Sequence, residues 1–147
     1  MIKPATIKHL DEIENIAGMM FAKPWNYKQI MHEINLHRNS ENLVYVKDDK
    51  VVAYMFGIKV IDEFHLNNIA VHKNFQRKHI ANKLLFHLVK RLQTQKVKKI
   101  FLEVSEQNKP ARNLYESFGF EKNGIRKNYY ARGNHAILYN LNLVFNG

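Results

Sequence analysis

Residues 74–92 read NFQRKHIANKLLFHLVKRL. Ile80, Leu84, Leu85, Leu88, Val89 and Leu92 recur at helical spacing and make one apolar face, with Lys83, Lys90 and Arg91 largely off it. Gln76 and Arg77 open the stretch, so a polar, basic loop runs into a helix N-terminus. Such a terminus has free N–H groups and a partial positive charge, and it attracts phosphate. The turn Lys78-His79-Ile80-Ala81 has no glycine. Glycine is needed where φ is positive or a ligand must approach closely. A turn already at helical angles needs only its amides and clearance, so a glycine-free cradle works if the backbone here is helical. His79 leaves the cradle intact if it points away, and blocks it or adds a donor if it points in. A solvated helix start is the other reading of the same residues.

The 147 residues suit one domain spanning 1–147, and 46% apolar with 24% charged residues fits an ordinary globular chain. With no cysteine there is no disulfide framework, thiol nucleophile or cysteine zinc site. The eight histidines show no close pair at ligand spacing with carboxylates, so no metal is expected. No apolar run approaches a membrane span, and the N-terminus does not read as a signal peptide, which predicts a cytoplasmic protein. The net charge of +10 suggests either a polyanionic partner, such as nucleic acid, a ribonucleoprotein or a phosphorylated cofactor, or a generic basic surface.

Working outward from the central helix, Ile2 to Thr6 suits a short strand. Leu10, Ile13, Ile16, Ala17, Met20 and Phe21 then follow helical spacing until Pro24. Asn26 suits the N-cap of a second helix carrying Ile30, Ile34 and Leu36. Strands are expected over Leu43 to Val46, Val51 to Ile61 and Leu66 to Val71, the first two joined by the turn Asp48-Asp49-Lys50. After the central helix come a strand from Lys99 to Val104 and a short helix capped by Asn108 and ended by Gly119. Strands near Phe120 to Arg126 and His135 to Leu143 complete an α/β order, β-α-α-β-β-β-α-β-α-β-β, with a mixed sheet and helices on both faces.

LNNIAVHKNFQRKHIANKLL, followed by LEVSEQNKPARNLYESFGF, resembles the GNAT superfamily of acetyl-coenzyme A-dependent N-acetyltransferases, over nearly the whole chain. KPWNYKQI, LEV, NLYESFGF and RKNYYARGNHAILYNLNL are most similar to the bacterial ribosomal-protein-alanine N-acetyltransferases within it. The resemblance implies the GNAT fold, a mostly antiparallel mixed sheet, and acetyl transfer to a protein N-terminus, the alanine of a small-subunit ribosomal protein. The family loop usually reads Gln/Arg-x-x-Gly-x-Gly/Ala; here Gln76 and Arg77 begin it, His79 replaces the first glycine and Ala81 takes the second position. Amides from Arg77, Lys78, His79, Ile80, Ala81 and Asn82 would hold the pyrophosphate of acetyl-CoA. Ile69, Ala70 and Val71 would pair with the pantetheine arm, and Asn108 would touch the cofactor.

Amine acetylation needs a neutral amine, donors for the oxyanion and a proton for the departing thiolate. Glu103 ends a strand whose other side is Ile100, Leu102 and Val104. Glutamate is depleted in strands, and desolvation there would raise its pKa toward that of a useful base. A carboxylate simply emerging at a strand end fits the residues equally, and the resemblance places the base here. Tyr115 shares a helix face with Ala111 and Phe118, as a core aromatic would; the resemblance makes it the acid toward the thiolate. With no cysteine, direct attack in a ternary complex is simpler than an acyl-cysteine route. Trp25 either lines the peptide groove or staples a helix start. Tyr129 and Tyr130 either cover the peptide as a lid or stiffen a hairpin. Glu33, Glu41, Asp62, Glu63 and Glu106 are candidates for an acidic patch receiving a basic ribosomal tail. The basic surface suits ribosome association, without specific nucleic-acid recognition. Two alternatives stay open: a GNAT enzyme for small amines or lysine, and a GNAT-fold binding module whose cofactor loop has decayed at His79.

Overall fold

A computed structural model describes residues 1–35 and 39–143. The elements follow the order expected: β1 (Ile2–Pro4), α1 (Leu10–Met20), α2 (Tyr27–Asn35), β2 (Leu43–Lys47), β3 (Lys50–Val60), β4 (Glu63–Val71), α3 (Ile80–Thr94), β5 (Lys99–Ser105), α4 (Lys109–Phe118), β6 (Glu121–Ala131) and β7 (Asn134–Asn142). Leu36, assigned by its pattern to the second helix, lies outside the described residues.

Local chemistry sets the boundaries. Asn26 and Gln29 make a reciprocal capping pair at the start of α2, Gln29 N–H to Asn26 Oδ1 at 2.9 Å and Asn26 N–H to Gln29 Oε1 at 2.8 Å. Asp48 and Asp49 both take positive φ in the β2–β3 turn, as acidic residues in tight hairpins do. Gly119 ends α4 in the left-handed region at φ 119°. The first helix ends at Met20, with Phe21 extended, so it stops ahead of Pro24 rather than at it.

The strands form one sheet in the order β1-β2-β3-β4-β5-β7-β6, in which β4 and β5 run parallel and every other described pair is antiparallel. One face is covered by α3 and α4. Ile80, Leu84, Leu85, Leu88 and Leu92 pack there with Phe64, Leu102 and Ile137. Each such side chain contributes about 1.5–3 kcal/mol on burial, so this face, not helix propensity, holds α3 in place. The other face carries α1 and α2, where Leu10, Ile13, Ile16 and Ile30 meet Val44, Tyr54 and Phe56.

Two features shape the site. Phe56 pairs with Asn68 and Gly57 with Leu66, leaving Asn67 as an extra residue that bends β4. Gly57 permits the bulge: a methyl group there would run into the Phe64 ring and lie 2.7 Å from the His65 carbonyl oxygen. Beyond Leu66↔Leu102 the register between β4 and β5 stops, and the two parallel strands part.

Candidate active site

The parting of β4 and β5 opens a cleft of about 530 Å³, within the range of small-molecule sites. Asn67, Asn68 and Ile69 form one wall, and Glu103, Val104 and Ser105 the other. From Ile69 to Val71, β4 pairs with β3 on one side and has no β5 partner on the other. An extended ligand arm can pair along such an edge as an added strand would.

Glu103 supplies the only carboxylate among the lining residues. Strand alternation explains its direction: Ile100, Leu102 and Val104 are buried on one face, and Glu103 projects from the other. Its setting is not the apolar one expected from sequence. Its side chain keeps 30% exposure, and Oε1 lies 3.0 Å from Arg126 Nη2. The strand meets the cleft edge here, so the carboxylate is met by a guanidinium rather than an apolar wall.

Tyr115 reaches the same cleft from α4 and is 6% exposed. Its ring packs edge-on against Phe120 at 5.6 Å and tilted against Tyr139 at 6.2 Å. It is the one fully buried residue of α4, so it is both the core aromatic and a cleft residue. Burial, and then the neighbouring Tyr130, push its phenol up, which keeps it protonated across the neutral range. Asn108 also does two things: it lines the cleft and its Oδ1 accepts from Ala111 N–H at 3.3 Å as the α4 cap.

Trp25 lines the cleft, and its ring stacks on that of Phe56 in β3 at 5.8 Å. Between Arg126 and Ala131 strand β6 leaves its register with β7. This excursion carries Tyr130 into the cleft lining; its phenol is pushed up by burial first and by Glu103 second. Tyr129 stays outside, half-exposed, with Arg126 5.0 Å from its ring centroid.

The loop before α3 does not meet the condition set for a glycine-free cradle. Arg77 and His79 have φ of 62° and 61°, both left-handed, so the turn is not helical. The chain must reverse between β4 and α3, and positive φ achieves this; histidine is one of the residue types enriched in that region. Lys83 N–H makes a helical bond to the His79 carbonyl, and no side chain caps the turn. The N–H groups of Ile80, Ala81 and Asn82 therefore lack intrahelical acceptors and suit an anion. His79 leans toward the first turn, its Nδ1 3.5 Å from Asn82 Nδ2, so it stands beside these amides. Gln76 is occupied elsewhere, its Nε2 donating to the Val71 carbonyl at 3.2 Å. Lys78 lies over the Phe75 ring at 5.4 Å.

None of the five acidic candidates lines the cleft. Glu41 is taken by a two-point pair with Arg91, Asp62 faces Lys98, and Glu63 faces His65. Glu33 lines a smaller neighbouring groove that shares Trp25. The sequence reading missed Arg126, Asn68 and Asn134 as cleft-side residues. Arg126 had one available signal, its place at the head of RKNYYARGN.

The cleft thus joins an unpaired strand edge, a carboxylate and a buried phenol, an arrangement suited to a transferase. The acetyltransferase (GNAT) family matches residues 10–120, and the chain belongs to this family. Among particular relatives, it is similar to the [ribosomal protein bS18]-alanine N-acetyltransferase of Haemophilus ducreyi, 36% identical over 82% of this chain and 80% of that one. The Salmonella typhimurium protein of the same description is 40% identical over 74% of this chain and 72% of that one. The crystal structure of the ribosomal-protein-S18-alanine N-acetyltransferase from Escherichia coli superposes with a TM-score of 0.91 at 32% identity, covering 100% of this chain and 96% of that one.

Proposed function

We propose that this chain transfers the acetyl group of acetyl-CoA to the N-terminal alanine of ribosomal protein bS18. The observation that carries the proposal is the fork between β4 and β5, which sets Glu103 and Tyr115 in one cleft beside an unpaired strand edge. The relatives named for that reaction support the choice of substrate. The residues fit the co-substrate. The amides of Ile80, Ala81 and Asn82 would hold the pyrophosphate, with Gln76, Arg77, Lys78 and His79 forming the loop before them. Ile69, Ala70 and Val71 would pair with the pantetheine arm, and Asn108 would touch the co-substrate.

Glu103 accepts the proton lost by the attacking α-amine, directly or through water. The new bond is nitrogen to acetyl carbon; the bond broken is acetyl carbon to sulfur. Tyr115 gives its phenolic proton to the departing sulfur. An α-amine, of pKa about 8 against about 10.4 for lysine, costs roughly 3 kcal/mol less to deprotonate. One weak base therefore suffices for an N-terminus. Trp25, Tyr129 and Tyr130 border the entry of the peptide, and the net charge of +10 suits approach to a ribonucleoprotein particle.

Thiol release from acetyl-CoA tests this against a panel: a peptide with the bS18 N-terminus, the same peptide with its α-amine blocked, and small polyamines. Turnover confined to the free N-terminal peptide supports the proposal. Preference for the blocked peptide or a polyamine moves the enzyme to the lysine or small-amine class.

A further inference from the structure

Tyr139 lies on β7, is fully buried, and has its hydroxyl hydrogen-bonded on both sides to α4. It accepts from Arg112 Nε at 3.1 Å and donates to Glu116 Oε2 at 3.0 Å. Arg112 also donates from Nη1 to the Glu106 carbonyl at 3.2 Å, which ties the clamp to the loop between β5 and α4. Arg112 and Glu116 are four residues apart and so lie on one face, one turn of helix between them. Tyr115 belongs to that turn, and its ring rests on that of Tyr139 at 6.2 Å.

The apolar anchor of α4 is Tyr115, its one buried residue, with Ala111, Leu114 and Phe118 partly buried against the same core. Ring contacts resist separation of a helix from a sheet but resist sliding poorly, because dispersion is non-directional and shallow. Hydrogen bonds to a charged group are directional and stronger than neutral ones. One buried hydroxyl held by a cation and an anion on successive turns therefore fixes both the height and the rotation of α4.

We infer that the Arg112–Tyr139–Glu116 clamp is a positioning device for the reaction: it holds the turn of α4 that carries Tyr115, so that the phenol meets the departing sulfur. This rests on the proposed role of Tyr115 as the acid. Tyr139 and Arg112 are positioning residues; neither lines the cleft.

The test is steady-state kinetics of Tyr139→Phe, which keeps the ring and removes both hydrogen bonds. Arg112→Met is a second variant on the helix surface side of the clamp, usable if the first fails to fold. Each is measured with acetyl-CoA and with an analogue whose thiol is made more acidic by fluorine on the cysteamine carbons. The expected result is a kcat about tenfold lower with acetyl-CoA, KM values within twofold, and recovery of most of the loss with the analogue. Glu103→Gln, impaired at another step, should not be rescued. A Tyr139→Phe kcat equal to the parent, or a loss that the analogue does not relieve, overturns the inference. If Tyr115→Phe itself turns over normally, the acid assignment has failed instead.

Discussion

Arg126 Nη2 stands 3.0 Å from Glu103 Oε1, and the guanidinium rests 5.0 Å from the ring centroid of Tyr129. Neither residue is adjacent to the other in the sheet. Glu103 pairs with Leu138 and Arg126 with Ala136, so the two side chains reach each other across β7, two residues apart along it. The general base proposed here is therefore engaged before any substrate arrives, by a residue at the point where β6 leaves its register. On the proposed mechanism an incoming amine would compete with Arg126 for the same oxygen. Replacing Arg126 by Gln is expected to lower the peptide KM several-fold with kcat changed little. A raised KM would mean that the arginine binds the peptide rather than competing with it.

Glu103→Gln separates chemistry from folding. Loss of a general base typically costs about 10²–10⁴ in rate. The ion pair is half-exposed, so its removal should shift stability by no more than about 1 kcal/mol. Turnover should collapse while the thermal midpoint stays close to the parent's. Near-normal turnover in this variant would remove Glu103 from the reaction.

Tyr115 gives a prediction at alkaline pH. Its phenol, and that of Tyr54, are pushed up by burial. The folded state thus holds these protons more tightly than the unfolded chain. Their contribution to stability is fully present below about pH 10, the unfolded value, and is lost as pH rises toward the folded values. Unfolding midpoints should fall above about pH 10, and fall less steeply in Tyr115→Phe. The rate of acetyl transfer should rise through about pH 8, as the α-amine becomes neutral, and hold to about pH 10.

His79 occupies a left-handed position beside the free amides of α3. Glycine there relieves about 1–2 kcal/mol of backbone cost but adds about 0.5–1 kcal/mol of unfolded-chain entropy. His79→Gly should change stability by no more than about 1.5 kcal/mol and tighten acetyl-CoA binding, read by calorimetry. Weaker binding would show that the imidazole donates to the ligand. Micromolar binding by the natural chain would argue against a decayed loop.

Gly57→Ala probes the fork itself. The added methyl meets Phe64 and the His65 carbonyl, so the bulge at Asn67 must shift. Overpacking of this kind costs about 1–3 kcal/mol. A lowered midpoint together with weakened acetyl-CoA binding is expected; unchanged binding would show that the cleft does not depend on the bulge.

The order of elements was legible because the signals are local: the α3 stripe, the Asn26 and Asn108 caps and the Asp48-Asp49 turn lie within a few residues each. Glu103, Tyr115 and Asn108, singled out from sequence, all reach one cleft. The left-handed angles of Arg77 and His79 were not legible, since no glycine marks them. Nor was the Arg126–Glu103 pair, which joins residues on non-adjacent strands and depends on the β5-β7-β6 order. The strand expected from Leu66 begins earlier, at Glu63, because the polar residues Glu63 and His65 weaken the apolar signal although the strand already pairs with β3 there.

The most direct measurement uses one peptide with an N-terminal alanine and an internal lysine, incubated with acetyl-CoA and sequenced by tandem mass spectrometry. Acetylation at the α-amine alone, lost in Glu103→Gln, is the expected result. Acetylation of the lysine with the α-amine left free would contradict N-terminal transfer by this cleft.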